Sequence, residues 1–143
     1  SLRVEAGLSL YGREINEEIT PIQANLTWAL DKERLDDSNL NGHLILSNQL
    51  ESNLDSKKIG IIPINKIMLR EGMELLDVNK KYIGNVTSGC FSPILGHSIG
   101  IGYMKSDMVS STEFYSEIRG KMELMKISKK TIKKKKYKKG ANE

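Results

Sequence analysis

Residues 57–104 read KKIGIIPINKIMLREGMELLDVNKKYIGNVTSGCFSPILGHSIGIGYM. Short apolar runs recur there at a roughly ten-residue spacing, separated by turn-forming residues, which is the rhythm of a β-barrel or a sandwich. The spacing predicts strands over Lys57–Pro63, Met73–Val78, Tyr82–Ser88 and Ile99–Met104, and further on over Glu113–Arg119 and Lys121–Ser128. Asp77, Asn79 and Lys80 mark a hairpin between the second and third strands, and Arg119-Gly120-Lys121 a tight one between the last two. No internal repeat is visible.

Upstream the texture differs. Thr20-Pro21 is a helix-start signal, a capping hydroxyl followed by a proline suited to the first turn, and predicts a short helix ending near Asn25. Leu26, Trp28 and Leu30 alternate with Thr27, Ala29 and Asp31, so a strand with one buried face is expected, with Trp28 pointing into a core or a domain interface. From Gly42 onward Leu44, Leu46, Leu50 and Leu54 suggest one amphipathic helix. His43 stands at its start, where capping or solvent exposure outweighs metal binding.

A chain of 143 residues can bury a core without staples. Hydrophobic residues are 38% and aromatics 6%, towards the polar end for a globular domain but outside the disordered range. Cys90 is the single cysteine, so no internal disulfide forms; no signal peptide is expected, and no apolar run comes near the ~20 residues of a membrane span. With only His43 and His97 to join it, Cys90 lacks the company a zinc site needs and reads as a structural or surface thiol. The net charge of +4 hides an asymmetry: Ser128–Lys139 holds eight lysines and no acid, and without them 14 basic residues face 18 acidic ones. Such a run is ordinarily solvated and binds polyanions without specificity.

Self-contained catalytic machinery is missing from the text: it has no Walker lysine loop, no HExxH and no GxSxG. Gly84, Gly89, Gly96, Gly100 and Gly102 read as turn-makers, since Gly100-Ile101-Gly102 lacks the following helix of a dinucleotide fingerprint. Glu14, Glu17 and Glu18 read as a solvated acidic face. Arg3 differs, because it lies in an apolar, small-residue stretch where a guanidinium requires an anion, and an ion pair to Glu5 or Glu14 is the first expectation. Thr87, Ser88 and Ser92 have hydroxyls able to bond local backbone, Gly89 permits unusual dihedrals and Pro93 stiffens the exit, so that block reads as a strand ending in a turn with no nucleophile in it.

Three ordered blocks carry a resemblance. Arg3, Glu5, Gly7, Tyr11, Gly12, Glu14, Thr20, Pro21 and Trp28 stand where the folate-dependent aminomethyltransferases of the glycine cleavage system, the T-proteins, have LRxEAGxxLYGxE, then TP, then a tryptophan. Leu69–Leu75 resembles their arginine-containing segment that enters a hairpin. Tyr82–Met104 is similar to their GxVTSGxxSPxLxxxIAxGY, matching at Gly84, Val86, Thr87, Ser88, Gly89, Ser92, Pro93, Leu95, Ile99, Gly102 and Tyr103 with unbroken spacing.

The resemblance covers nearly all of the chain and implies the C-terminal portion of such an enzyme. It implies a mainly β chain: an antiparallel Greek-key-like barrel of about six strands, preceded by a short helix-strand edge of the preceding domain and one amphipathic helix. The implied organisation is 1–34 as the end of the central folate-binding domain, 35–56 as a helical connection, 57–128 as the C-terminal barrel and 129–143 as a lysine-rich tail. The implied reaction passes a one-carbon unit from the aminomethyl-lipoyl arm of the H-protein to tetrahydrofolate with release of ammonia; tetrahydrofolate is a co-substrate and no metal takes part. No catalytic residue is expected within these 143 residues, so the chain alone is expected to be inactive.

By motif, Arg3 is the arginine that contacts folate or substrate. Tyr137 falls nine residues after Ser128, where the family ending SK/RxPFVPxxYY places a ligand-contacting tyrosine, but here SKKTIKKKKYKKG lacks both prolines, the phenylalanine and the second tyrosine. Arg70 is a further candidate, at the folate side or in an interface ion pair, and Trp28 a weaker one. The implied partners are the lipoylated H-protein and the N-terminal domains of the same protein, with no specific nucleic acid and no membrane. The implied location is the mitochondrial matrix in a eukaryote and the cytoplasm in a bacterium. Two alternatives stand beside this reading: another folate-dependent branch, such as a dimethylsulfoniopropionate demethylase or the folate half of a dimethylglycine or sarcosine dehydrogenase, and a non-catalytic binding module with a polybasic tail. The KGCYxGQE signature of the iron-sulfur-assembly branch is absent.

Overall fold

In a computed structural model that describes residues 1–51, 54–110 and 113–128, six antiparallel strands close into a barrel. They are β1 (Ser56–Pro63), β2 (Glu74–Leu76), β3 (Tyr82–Ser92), β4 (His97–Lys105), β5 (Phe114–Ile118) and β6 (Lys121–Ser128), and they follow one another around the wall as β1-β4-β3-β2-β5-β6. Strands β2, β3 and β4 are joined by hairpins while β1 returns to lie beside β4, which is a Greek key. The turns are those the sequence marks. Asp77 Oδ1 accepts the N–H groups of Asn79 and Lys81, both at 2.8 Å. Arg119 and Gly120 both take positive φ, 51° and 76°, in the two-residue turn whose twist suits a hairpin.

Alternation along β1 sends Ile59 and Ile61 inward, where they meet Leu75, Ile83, Val86, Met104, Phe114 and Met125. Leu69, from the β1–β2 connection, joins this core, its N–H donating to Ser98 Oγ at 2.9 Å. Strand β4 is buried on both faces from Ser98 to Met104. Its second covering is the N-terminal segment: Val4 of the single-turn helix α1 (Leu2–Glu5) packs on Ile99 and Ile101, and Tyr103 Oη donates to the Glu14 carbonyl at 2.6 Å. β6 pairs with β1 only from Gly60 onward, and at Lys58 the open edge is taken by Gln23, whose carbonyl accepts the Lys58 N–H, and by Asn25, which donates to the Lys58 carbonyl.

Several expectations are corrected. Pro21–Asn25 forms consecutive turns rather than a helix, and Thr27–Ala29 is a 3₁₀ turn rather than a strand, leaving Trp28 82% exposed and outside the core. A helix does follow, α3 (His43–Leu50), after the single turn α2 (Lys32–Leu35), but it buries none of its residues. Leu44, Ile45, Leu46 and Leu50 are spread around the helix circumference rather than along one stripe, so no face is left to dock. His43 Nδ1 lies 2.9 Å from the Leu35 carbonyl and ties α3 to α2, a role neither capping nor exposure anticipated.

The glycines are corrected too. Gly96 does sit in a turn, with φ 71°, but Gly84, Gly89, Gly100 and Gly102 lie inside β3 and β4. At Gly89 a Cβ would come within 2.2 Å of the Leu69 carbonyl oxygen, so glycine is what lets the β1–β2 connection lie against β3.

Candidate functional site

The site is built from the N-terminal segment, the middle of β3 and the β1–β2 connection. β3 carries a bulge opposite β4: Val86 pairs with Gly102 and Ser88 with Ile101, so Thr87 is the extra residue. An uninterrupted strand would send Thr87 and Ser88 to opposite faces. With the bulge, Val86 stays in the core while Thr87 and Ser88 both reach the N-terminal segment.

Glu14 meets them there. It belongs to a tight loop in which the Leu10 carbonyl accepts the N–H groups of Arg13 and Glu14, while Gly12 takes φ 86°. Its side chain is wholly buried, the opposite of the solvated acid expected; Glu17 and Glu18 are the exposed ones. Glu14 Oε2 accepts from Arg3 Nη1 at 2.7 Å and from the Leu10 N–H at 2.9 Å, and Oε1 accepts from Thr87 Oγ1 at 2.8 Å. Burial alone would raise its pKa. The hydroxyl of Ser88, the Leu10 N–H, the Thr87 hydroxyl and the Arg3 charge outweigh burial and hold the carboxyl below its ordinary value.

Arg3 is fixed from three directions. Nη1 also donates to the Leu8 carbonyl at 2.8 Å, and Nη2 donates to Ser88 Oγ at 2.9 Å. The expected ion pair is therefore made with Glu14; Glu5, also buried, instead accepts from Ser92 Oγ at 2.5 Å. Lys58 completes the polar layer from β1, donating to Ser9 Oγ at 2.6 Å and to the Gly7 carbonyl at 3.3 Å. Burial pushes the Lys58 pKa down, opposed by Glu14 and aided by Arg3. Tyr103, whose oxygen is engaged at the Glu14 backbone, has its pKa raised by burial and then by the Glu14 charge.

Beside this layer opens a cleft of about 610 Å³ bordered by Arg3, Arg13, Arg70, Glu71, Ser88, Gly89 and Cys90. Leu69 is anchored in the barrel core, and the next residue, Arg70, is exposed at the rim. Arg13 is paired with Glu71 across the mouth, whereas Arg70 has no ion pair among the described residues. The structure thus gathers Arg3 and Arg70, which the sequence separates by 67 positions, and adds Arg13, which sequence reasoning did not single out. Trp28 does not border this cleft, and Tyr137 lies outside the described residues. Among the described residues no group of three or more His, Cys, Asp or Glu side chains is placed to hold a metal, and no helix is long and apolar enough to cross a membrane.

The chain is a closed Greek-key barrel with an N-terminal segment laid over its β3 and β4, and sequence and structural similarity give it a class. Residues 57–133 match the glycine cleavage T-protein C-terminal barrel domain, and the chain belongs to that family. Among curated relatives it is 42% identical over 132 residues to a mitochondrial aminomethyltransferase of Dictyostelium discoideum, covering 90% of this chain and 32% of the relative. It is 41% identical over 122 residues to the mitochondrial aminomethyltransferase of Pisum sativum, covering 85% of this chain and 30% of that protein. The crystal structure of glycine cleavage system aminomethyltransferase T from Bartonella henselae superposes with a TM-score of 0.82 at 32% identity, covering 90% of this chain and 36% of the other. The chain spans about a third of the length of the curated relatives it matches.

Proposed function

We propose that this chain supplies one wall of a folate site in an aminomethyltransferase of the glycine cleavage system, acting with the additional length its relatives possess. The reading rests on one observation: Arg3 is immobilised by Glu14 and Ser88 at the border of a cleft that also gathers Arg13 and Arg70. A concave, cationic wall suits the carboxylates of the p-aminobenzoyl-glutamate end of tetrahydrofolate, because a guanidinium engages a carboxylate in a planar, two-point fashion. The residues here bind and orient. On this reading one-carbon transfer with ammonia release is a matter of holding the folate nitrogens against the aminomethyl donor.

The donor is the lipoyl arm of the H-protein, and the remaining walls come from the domains that precede the barrel in longer members of the family. Trp28, apolar and solvent-exposed, suits contact with such a neighbouring domain rather than with folate. Tyr137 keeps the ligand contact the resemblance gives it. The matrix of the mitochondrion is the proposed location in a eukaryotic cell, following the compartment named for the relatives in Dictyostelium discoideum and Pisum sativum.

Two assays test the reading. Calorimetric titration of the chain with tetrahydrofolate should give weak saturable binding that Arg3→Ala lowers by ~tenfold or more, the worth of one charge-assisted contact. Binding unchanged by Arg3→Ala would remove Arg3 from the site. Mixed with aminomethylated H-protein and tetrahydrofolate, the chain alone should release no ammonia, and turnover would show that these residues suffice.

A further inference from the structure

A guanidinium has five N–H donors. In Arg3 three are engaged, two on Nη1 and one on Nη2, which leaves Nε–H and the second Nη2–H with no acceptor among the described residues. The side chain is 28% exposed, and that exposed part borders the cleft. Its principal anchor, Glu14, is wholly buried and cannot itself touch a ligand there. We infer that Glu14, braced by Thr87, is the positioning residue for Arg3: it fixes the guanidinium so that its two spare donors stay available to a carboxylate. This rests on the folate reading for the identity of the ligand, but not for the mechanics.

The brace is traceable atom by atom. Thr87 does not bond Arg3; its hydroxyl bonds the far carboxylate oxygen of Glu14, and Tyr103 and the Leu10 N–H hold the same residue by its carbonyl and its near oxygen. An isolated Arg–Glu pair with one free carboxylate oxygen swings about its single contact. With both oxygens engaged, the carboxylate plane is set, and the direction of the Arg3 Nη1 contact with it. The β3 bulge is what brings the Thr87 hydroxyl into range, so the positioning of a residue at position 3 is written into a strand irregularity at position 87.

Thr87→Val keeps the side-chain shape and removes the hydroxyl that braces Glu14, together with its longer 3.1 Å approach to the Ile101 carbonyl within the barrel wall, and Glu14→Gln removes the charge at the anchor. In the unmodified chain the Arg3 Nη groups should show resolved ¹⁵N–¹H resonances, the mark of hindered rotation about the guanidinium bonds. Both variants should collapse these to an averaged signal, and each should raise the Kd for N-(p-aminobenzoyl)-L-glutamate by ~fivefold to tenfold, while cooperative unfolding shows that the barrel persists. Glu14→Asp should restore part of both. Unchanged Arg3 resonances in Thr87→Val would overturn the inference, because a purely structural Thr87 predicts that result. If Glu14→Gln does not fold, Thr87→Val alone decides. Should the unmodified chain fail to bind the probe, the folate reading falls, while the resonances still decide whether Glu14 positions Arg3.

Discussion

Arg3 and Glu14 form an ion pair whose acidic partner is fully buried and whose basic partner is partly exposed, so the two are not equivalent under mutation. Arg3→Ala leaves Glu14 with its other donors but an uncompensated charge, and should cost about 1.5–3 kcal/mol by denaturant titration. Arg3→Lys keeps the charge yet cannot reproduce three directed bonds, and should recover only part of that loss. Acid titration follows from the lowered pKa of Glu14. A carboxyl with a folded pKa below its ordinary 4.5 contributes stability that is present above that value and is lost as pH falls through the folded pKa. The unmodified chain should therefore lose Tm below about pH 4.5, and Glu14→Gln should be less stable near neutrality but flatter across that window. Arg3 was legible in the sequence because a guanidinium among small apolar residues demands an anion. Glu14 was legible as one of its two candidate partners but its burial was not, because that depends on Thr87, 73 residues away, while its sequence neighbours Glu17 and Glu18 are exposed.

At the scale of elements, the strands from Ser56 onward were readable because apolar alternation and turn chemistry agree there. Between Thr20 and Leu50 they do not agree. A Thr-Pro start and a Leu-Trp-Leu alternation promise a helix and a strand, but the segment is committed to capping the open edge of β1 through Gln23 and Asn25, and backbone geometry follows those bonds rather than local propensity. The strand glycines were misread for a similar reason, since close approach of a second backbone leaves no mark in the one-dimensional text. Gly89→Ala tests this: with a Cβ 2.2 Å from the Leu69 carbonyl, the β1–β2 connection must shift, costing about 1–3 kcal/mol or more and moving Arg70 at the cleft rim. Gly96→Ala, with nothing within 4 Å but a positive φ, should cost only about 1 kcal/mol. A Gly89→Ala variant as stable as Gly96→Ala would contradict the packing described.

Over the whole molecule, the N-terminal segment and the barrel are one packing unit. Residues 1–25 supply Val4 to the second apolar cluster, the acceptor for Tyr103, and the edge cap at Lys58. Removing them should expose Ile99 and Ile101 on β4 and yield a chain with a lower Tm and increased binding of a hydrophobic dye; an unaltered melting curve would show that the barrel stands without its cover. The same packing is what places three arginines around one cleft, and on that placement the functional reading depends. Backbone ¹H–¹⁵N shift mapping during titration with tetrahydrofolate examines it most directly. The account predicts perturbations centred on Arg3, Arg13, Arg70, Ser88 and Gly89, weakened by Arg3→Ala; perturbations confined to Lys66, Arg119 and Lys121 in the pocket on the other side of Arg70, or none at all, would contradict it.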